Sequence, residues 1–532
     1  MVYRVLISDN ISEEGVKLLR REKDIKVDIK TGLSEEELIE TLGDYHGLIV
    51  RSQTKVTRKV IESGVNLRVI GRAGVGVDNI DVEAATERGI VVVNAPEGNT
   101  VSAAEHTIAM LLSLLRKIPS ANESLKRGEW DRKRFMGVEF RGKTLGIIGL
   151  GRIGSLVASK AMGLEMKVLA YDPFITKERA RELGVPLTSL QEVIMKSDFL
   201  TVHTPLTKNT YHLIDEEKFS MMRRGVYIVN CARGGVIDEK ALYEAIKSGK
   251  VAGAALDVFE EEPPRNSPLL ELEEVVVTPH IAASTVEAQK SVGVIIAEEV
   301  ISALKGLPVR NAVNLPSIKA EDYEFIRPFM FLGEKMGRLV ASLVDSEINE
   351  VNVKYYGTLS GRDTEYVTRS VLKGIMEHIL GSGINLVSAP MIAESRGIKI
   401  VESSTSETDN YTNLLEVVLR GKNVERKVLG TSFGKQDVRV IKIGDYNVDL
   451  IPKGHVIISL HEDRPGVIGR VGTLLGQNNI NIARMHVGRI VDEPGGIAIM
   501  VLSIDNPPSE EVISSMEKLE GIINAIHIYF GG

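Results

Sequence analysis

The chain has 532 residues, 43% hydrophobic and 26% charged, enough for three or four domains of roughly 150 residues each. Its 65 Lys and Arg against 72 Asp and Glu leave a net charge of −7, which argues against a nucleic-acid partner, since such a footprint needs a basic face. One cysteine excludes an internal disulfide, no clustered Cys/His pair offers a metal site, and the expectation is a metal-free cytoplasmic protein.

The N-terminus, MVYRVLISDN, reads as a strand rather than a secretion signal. The longest helix-like apolar stretch, Thr107 to Leu115, is far short of the roughly 20 residues that span a bilayer, so no membrane partner is expected. Tyr3–Ser8, Lys26–Ile29, Gly47–Arg51, Val69–Arg72 and Val91–Asn94 read as strands, with helical periodicity between them at 12–21, 34–42, 55–62 and 81–88. That rhythm predicts a doubly wound parallel sheet. A helix from Val101 to Arg116 leads to a second βα series, with strands at Thr144–Ile148, Lys167–Tyr171, Phe199–His203, Tyr227–Asn230, Gly253–Leu256 and Val275–Thr278. A helix from Val286 to Leu304 reads as a return to the first domain. The predicted division is therefore 1–98 with 285–316 as substrate-binding domain, and 99–284 as an inserted Rossmann unit. Residues 317–452 mix a helix (Tyr323–Ser342) with strands, and 453–532 read β-α-β-β-α-β; both are expected as smaller α+β modules.

Gly149-Leu150-Gly151-Arg152-Ile153-Gly154 follows an apolar strand and opens a helix. Its glycines permit a tight turn and close approach to a pyrophosphate, which the helix N-terminus favours. Asp172 lies eighteen residues after Gly154, at the end of the next strand. A carboxylate there accepts from ribose hydroxyls and repels a 2′-phosphate, so the expected cofactor is NAD rather than NADP. Gly137 to Thr144 also matches the P-loop pattern, but its Lys143-Thr144 leads into a strand instead of a helix. That order is reversed, and ATP binding is rejected.

Arg233, Glu262 and His280 stand beyond the C-terminal ends of later strands, where open α/β sheets bind ligands. Singly, each admits a plain role: a turn brace, a solvated acidic loop, a helix cap. Together they supply a carboxylate clamp, an orienting acid and a proton acceptor, the set needed to oxidise a hydroxy acid. Cys231 neighbours the same place, but alcohol oxidation needs no thiol nucleophile.

The strings GIIGLGRIG, HTPLT, NCARGGVID, ALDVFEEEP and TPHIAAST, in order over residues 1–316, resemble the D-isomer-specific 2-hydroxyacid dehydrogenases. The resemblance implies that His280 takes the hydroxyl proton, that Glu262 pairs with it and that Arg233 holds the substrate carboxylate. It further implies that Asp257 faces the nicotinamide amide and that the Arg152 and Ile153 amides meet the pyrophosphate. His203, Thr204, Pro205, Cys231, Ala232, Ala282 and Ala283 would line the same groove.

The first domain supplies Arg51, Ser52, Arg72, Gly74, Val75 and Asn99 as substrate-binding candidates. Two arginines at strand ends exceed what one carboxylate needs and point to a second anionic group, for which a planar guanidinium fork suits phosphate. The alternative is ordinary surface charge. Toward the C-terminus, the turn at Asp463-Arg464-Pro465-Gly466 within β-α-β-β-α-β spacing resembles an ACT domain, an amino-acid sensor that usually pairs across subunits. His461, Asp463 and Asn481 occupy the positions that would bind L-serine; the alternative is that they only cap and turn. The complete order of modules resembles the branch of the family that oxidises 3-phosphoglycerate at the entry to serine synthesis, with a homotetramer as its usual assembly. Two alternatives remain at this level: a glyoxylate or hydroxypyruvate reductase, and an NAD-sensing regulatory protein on the same fold.

Overall fold

The computed structural model describes residues 2–408, 410–434, 437–491, 493 and 495–531. Four sheets organise the chain. The first has strands β1 (Tyr3–Ile7), β2 (Ile25–Ile29), β3 (Gly47–Val50), β4 (Val69–Arg72) and β5 (Val91–Val93), all parallel in the order β2-β1-β3-β4-β5. Its strands are runs of Val, Ile and Leu because both faces are covered by helices. One face packs Val5, Ile49 and Val69 against Val292, Ile296 and Val300 of the Val286–Leu304 helix. That late helix belongs to this sheet, and it presses so closely that a Cβ on Gly15 would lie 2.3 Å from the Gly293 carbonyl oxygen.

The second sheet comprises β6 (Thr144–Ile148), β7 (Lys167–Tyr171), β8 (Phe199–Val202), β9 (Val226–Asn230), β10 (Val251–Leu256) and β11 (Val275–Val277). Its order is β11-β10-β9-β8-β6-β7, again parallel, and a single parallel bridge from Ala170 to Leu187 extends it beyond β7. The order reverses between β6 and β8, which opens a crevice at their C-terminal ends. The Thr100–Leu115 helix enters this second core, with Ile108 and Leu111 against Leu145, Ile147 and Val157. Two doubly wound units are thus present, as the βα rhythm predicts, and their carboxyl edges face one another.

The third sheet runs β13-β12-β14-β15-β16-β17, from β12 (Ile348–Gly357), β13 (Lys399–Thr405), β14 (Asn413–Gly421), β15 (Val424–Ser432), β16 (Val438–Ile443) and β17 (Tyr446–Leu450). The fourth is antiparallel, in the order β19-β20-β18-β21, from β18 (His455–Glu462), β19 (Ile482–Gly488), β20 (Ile497–Ile504) and β21 (Ile522–Tyr529). Alternation along β18 sends Ile457 to the helices of its own module but Val456 and Ile458 into a core with Leu332, Met336 and Val440. The last two modules therefore share one continuous apolar core rather than standing apart. Lys335 Nζ, almost fully buried, donates to the Phe530 carbonyl at 2.5 Å and pins the C-terminal strand to the Ala320–Ser342 helix. Asn385 Nδ2 donates to the Gly89 carbonyl at 2.7 Å, joining the third module to the first. Among the described residues, no helix is long and apolar enough to cross a membrane.

Candidate active site

The glycine turn has the shape its sequence implies. Gly149 has φ +94, and a Cβ there would lie 2.6 Å from the His203 carbonyl oxygen; one on Gly154 would lie 2.0 Å from the Gly149 carbonyl oxygen. A Cβ on Gly151 would meet nothing within 4 Å, so the backbone is bare on the crevice side. Gly151 caps the Arg152–Gly163 helix without a side-chain bond, which leaves the first amides, including Arg152 and Ile153, free for an anion. Asp172 accepts from the Leu150 amide at 2.8 Å and from Phe174 at 2.8 Å, placing its carboxylate against the turn with lone pairs to spare for hydroxyl donors. A cavity of about 540 Å³, lined by Gly151, Arg152, Ser155, Ile175 and Arg179, adjoins it. Thr204 Oγ1 is buried without a partner among the described residues. A bare turn, free amides, a diol acceptor and an orphaned hydroxyl fit a dinucleotide such as NAD.

His280 follows β11 and adopts φ +53, an uncommon backbone state for a non-glycine residue. It is held there by Asp257, which follows β10. The His280 amide donates to the Asp257 carbonyl at 2.9 Å. The fully buried Asp257 carboxylate accepts from Thr278 Oγ1 (2.5 Å), the Ile281 amide (2.8 Å) and the Ala282 amide (2.8 Å). His106, on the Thr100–Leu115 helix, places Nε2 3.1 Å from Thr278 Oγ1 and 3.4 Å from Asp257 Oδ1. Burial pushes the Asp257 carboxyl up, but His106, Thr278 and the two amides outweigh it and hold the group below its usual range. The resemblance turns Asp257 toward a nicotinamide amide; in the structure the bonds its carboxylate accepts come from the His280 turn. His106 was invisible to the sequence reading, because an isolated histidine in an apolar helix carries no spacing signal.

The His280 imidazole Nδ1 lies 2.7 Å from Glu262 Oε2. Glu262 also accepts from the Phe259 amide at 3.3 Å. Burial raises its carboxyl and His280 with Phe259 lowers it, for a net position below the ordinary value. Pairing through Nδ1 turns Nε2, which has no partner among the described residues, toward solvent in the crevice. Arg233, which follows β9, has Nε 3.1 Å from Asp78 Oδ2 and Nη1 donating to the Ala232 carbonyl at 2.7 Å.

From the facing domain, Arg72 projects toward Arg233 and Arg51. Burial first, then the charges of Arg233 and Arg51, push its guanidinium down to about 10, and Arg72 Nε has no partner among the described residues. Three cations this close relieve their repulsion by sharing an anion. Asn99 Oδ1 is likewise buried and orphaned at the hinge, while Arg51 itself is anchored by its amide to Asp9 at 2.6 Å. Ser52, Gly74 and Val75 lie on the same rim. Gly76 and Asp78 contact Arg233; Gly76 ends the Gly71–Gly76 string that the sequence offers to the substrate, whereas Asp78 is not among the predicted site residues.

Cys231 is 7% exposed, and burial with the nearby Asp257 charge pushes its thiol up to about 12. It is no nucleophile at neutral pH. Iodoacetamide at pH 7 is expected to leave it unlabelled in the folded protein, and Cys231→Ala to retain most turnover; rapid labelling by mass spectrometry would contradict the buried placement. His203 lines the crevice floor, its imidazole pushed down to about 4 by burial, and pairs with Thr201 Oγ1 at 3.1 Å. Pro205, Ala232, Ala282 and Ala283 lie along the same loops.

In the fourth module, His461 is buried with Nδ1 unpartnered among the described residues, and Asp463 is held by Arg489 at 2.7 Å and the Gly495 amide at 3.1 Å. Arg489 keeps the Asp463 carboxyl below its usual range. Asn481 stands apart from these two. His461 pairs with Ala498 while Ile482, its neighbour, pairs with Ile504, so within one chain they stand at opposite ends of β20, about 20 Å apart at 3.3 Å per residue. Asn481 instead donates to Asp505 at 2.7 Å.

Three segments of the chain match family models. Residues 108–282 match the model of the D-isomer specific 2-hydroxyacid dehydrogenase NAD binding domain, 325–444 the D-3-phosphoglycerate dehydrogenase intervening domain and 455–521 the ACT domain. A D-3-phosphoglycerate dehydrogenase of Archaeoglobus fulgidus is 56% identical over 526 residues, 99% of each chain, and one of Methanocaldococcus jannaschii is 48% identical over 98% of each. Among solved structures, D-lactate dehydrogenase of Aquifex aeolicus, complexed with NAD and lactic acid, aligns with a TM-score of 0.52 at 32% identity, covering 59% of this chain and 100% of that one. With an NAD-binding domain, an intervening domain and an ACT domain in this order, and with full-length relatives at this identity, the chain belongs to the D-3-phosphoglycerate dehydrogenase family.

Proposed function

We propose that the chain oxidises 3-phospho-D-glycerate to 3-phosphooxypyruvate with NAD, at the first committed step of L-serine synthesis, and that Arg233, Glu262 and His280 carry the chemistry. The observation that supports this most is the His280–Glu262 pair at 2.7 Å, alongside the clustering of Arg51, Arg72 and Arg233 between the two domains. NAD supplies the nicotinamide that accepts hydride from C2 of the substrate. His280 Nε2 takes the C2 hydroxyl proton as the carbonyl forms, and Glu262 stabilises the imidazolium through Nδ1. Arg233 holds the substrate carboxylate and polarises the forming carbonyl. Arg72 and Arg51 receive the phosphate, whose second charge suits a doubly cationic rim. Purified protein with NAD and 3-phosphoglycerate, product being removed, is expected to produce NADH measurable at 340 nm; faster turnover of unphosphorylated D-glycerate would overturn the phosphate assignment.

The same proposal extends to regulation. L-serine is the effector read by His461 and Asp463 of one chain with Asn481 of a second, because one small molecule cannot bridge the length of β20. That geometry requires paired ACT modules, in keeping with a cytoplasmic homotetramer. Serine is expected to slow turnover and to protect residues 461–466 and 479–483 together from hydrogen exchange. Protection confined to 317–452 would move the effector site elsewhere.

A further inference from the structure

The loop after β4 is moulded round two guanidinium groups. A Cβ on Gly74 would lie 1.4 Å from Arg72 Nη1, and one on Gly76 would lie 2.0 Å from Arg233 Nη2. Asp78 closes the loop, its Oδ2 3.1 Å from Arg233 Nε. Arg233 follows β9 in the second sheet, whereas Gly76 and Asp78 follow β4 in the first. The guanidinium is thus held from both walls of the crevice: by the Ala232 carbonyl on its own side, and by a carboxylate and a bare glycine on the other.

We propose that Asp78 is a positioning residue for Arg233, fixing the plane of the guanidinium for the substrate carboxylate and doing so only when the two domains meet. This rests on the reading of Arg233 as the carboxylate-binding group. Asp78 has a side-chain exposure of 64%, so its ion pair is solvated and adds little to folding stability. Its effect is geometric. A free arginine side chain samples many rotamers, and fixing Nε in advance removes that ordering cost from substrate binding. Because Nε is bonded to Asp78, Nη1 to Ala232 and Nη2 packs beside Gly76, the plane of the fork is fixed in advance. The contact also couples recognition to closure, since the donor and its acceptor belong to different domains.

A competing reading follows from the charges alone. Asp78 lies near the Arg51, Arg72 and Arg233 cluster, where its carboxylate offsets part of the mutual repulsion. If that were its role, removing the charge would strengthen anion binding. Asp78→Asn separates the two, because it discards the charge and keeps an acceptor oxygen for Nε. Gly76→Ala provides an independent probe, pressing a methyl group into the space of Nη2 without touching Asp78.

The test is steady-state kinetics of the full-length enzyme with NAD and 3-phosphoglycerate. Asp78→Ala is expected to raise KM for 3-phosphoglycerate about tenfold, the usual effect of losing one charge-assisted hydrogen bond, with kcat within about threefold and NAD affinity within about twofold. Asp78→Asn should recover most of that loss, Gly76→Ala should share it, and Asp78→Ala should add almost nothing in an Arg233→Ala background. The proposal is overturned if Asp78→Ala leaves KM unchanged or lowers it, if Asp78→Asn is as impaired as Asp78→Ala, or if the Asp78 and Arg233 effects add independently. Arg233→Ala separates the two levels. An unchanged KM there overturns the carboxylate-clamp reading and this proposal together, whereas a raised KM there with none in Asp78→Ala overturns this proposal alone.

Discussion

Replacing His280 by alanine is expected to lower kcat by about a thousandfold, the middle of the range for loss of a general base, while NAD affinity stays within about twofold of the parent. The separation follows from where the ring sits. His280 touches neither the glycine turn nor Asp172, so removing the imidazole leaves the dinucleotide cradle intact. Calorimetric titration would report NAD binding and the absorbance at 340 nm would report turnover. If both fell together, His280 would be holding the crevice rather than moving a proton. Glu262→Gln should produce a smaller loss, because an amide oxygen still orients Nδ1 but no longer neutralises an imidazolium.

The pH dependence has a definite sign. The Glu262 carboxyl lies below its ordinary value of 4.5, so folding favours its ionised form. Its contribution is fully present above that ordinary value and is lost as pH falls below it, when protonation dissolves the pair with His280. Taking the substrate proton requires a neutral imidazole. Glu262→Gln is expected to abolish the low-pH stability component but to leave the requirement for a neutral imidazole in place.

Asp257→Ala carries the second large effect, this time on stability and catalysis together. The variant strips the acceptor from the Thr278 hydroxyl and from the Ile281 and Ala282 amides, at a position that is fully buried. Each orphaned donor costs about 1–3 kcal/mol, so a total loss of about 3 kcal/mol or more is expected, read as a fall in melting temperature. The His280 turn, already at φ +53, loses what holds it there, and kcat should drop with it. Asp257→Asn should fall between, because its one remaining oxygen can satisfy some of the donors while its amide nitrogen opposes the others. A thermally normal Asp257→Ala with normal kcat would show that β10 and β11 place His280 unaided. The carboxyl lies below its ordinary value of 3.8, so its stabilisation is complete above that value and disappears in stronger acid.

Much of this site was legible because strand ends announce themselves. β6, β7, β9, β10 and β11 are short apolar runs, and the residue types just past them (Gly149, Asp172, Arg233, Asp257, His280) are those a crevice at carboxyl edges requires. The glycine turn could be told from the P-loop match beside it by the order of strand and helix alone. Local pattern had no access to Asp78 and His106, whose meaning lies in partners 155 and 172 residues away. Nor could it place Asn481. Spacing fixes which strand a residue begins, but only register shows that β18 and β19 run the same way and carry their polar ends apart.

The sequence by itself determined the two parallel sheets, the dinucleotide turn and the residue types of the reacting set. Each of these follows from periodicity, glycine sterics or side-chain chemistry within a few residues. Tertiary structure alone decided which groups meet across the crevice, that Asp257 serves the histidine turn, and that the last two modules share one core. These depend on packing between distant elements, where alternating residues of one strand can face either neighbour and only the assembled layers choose.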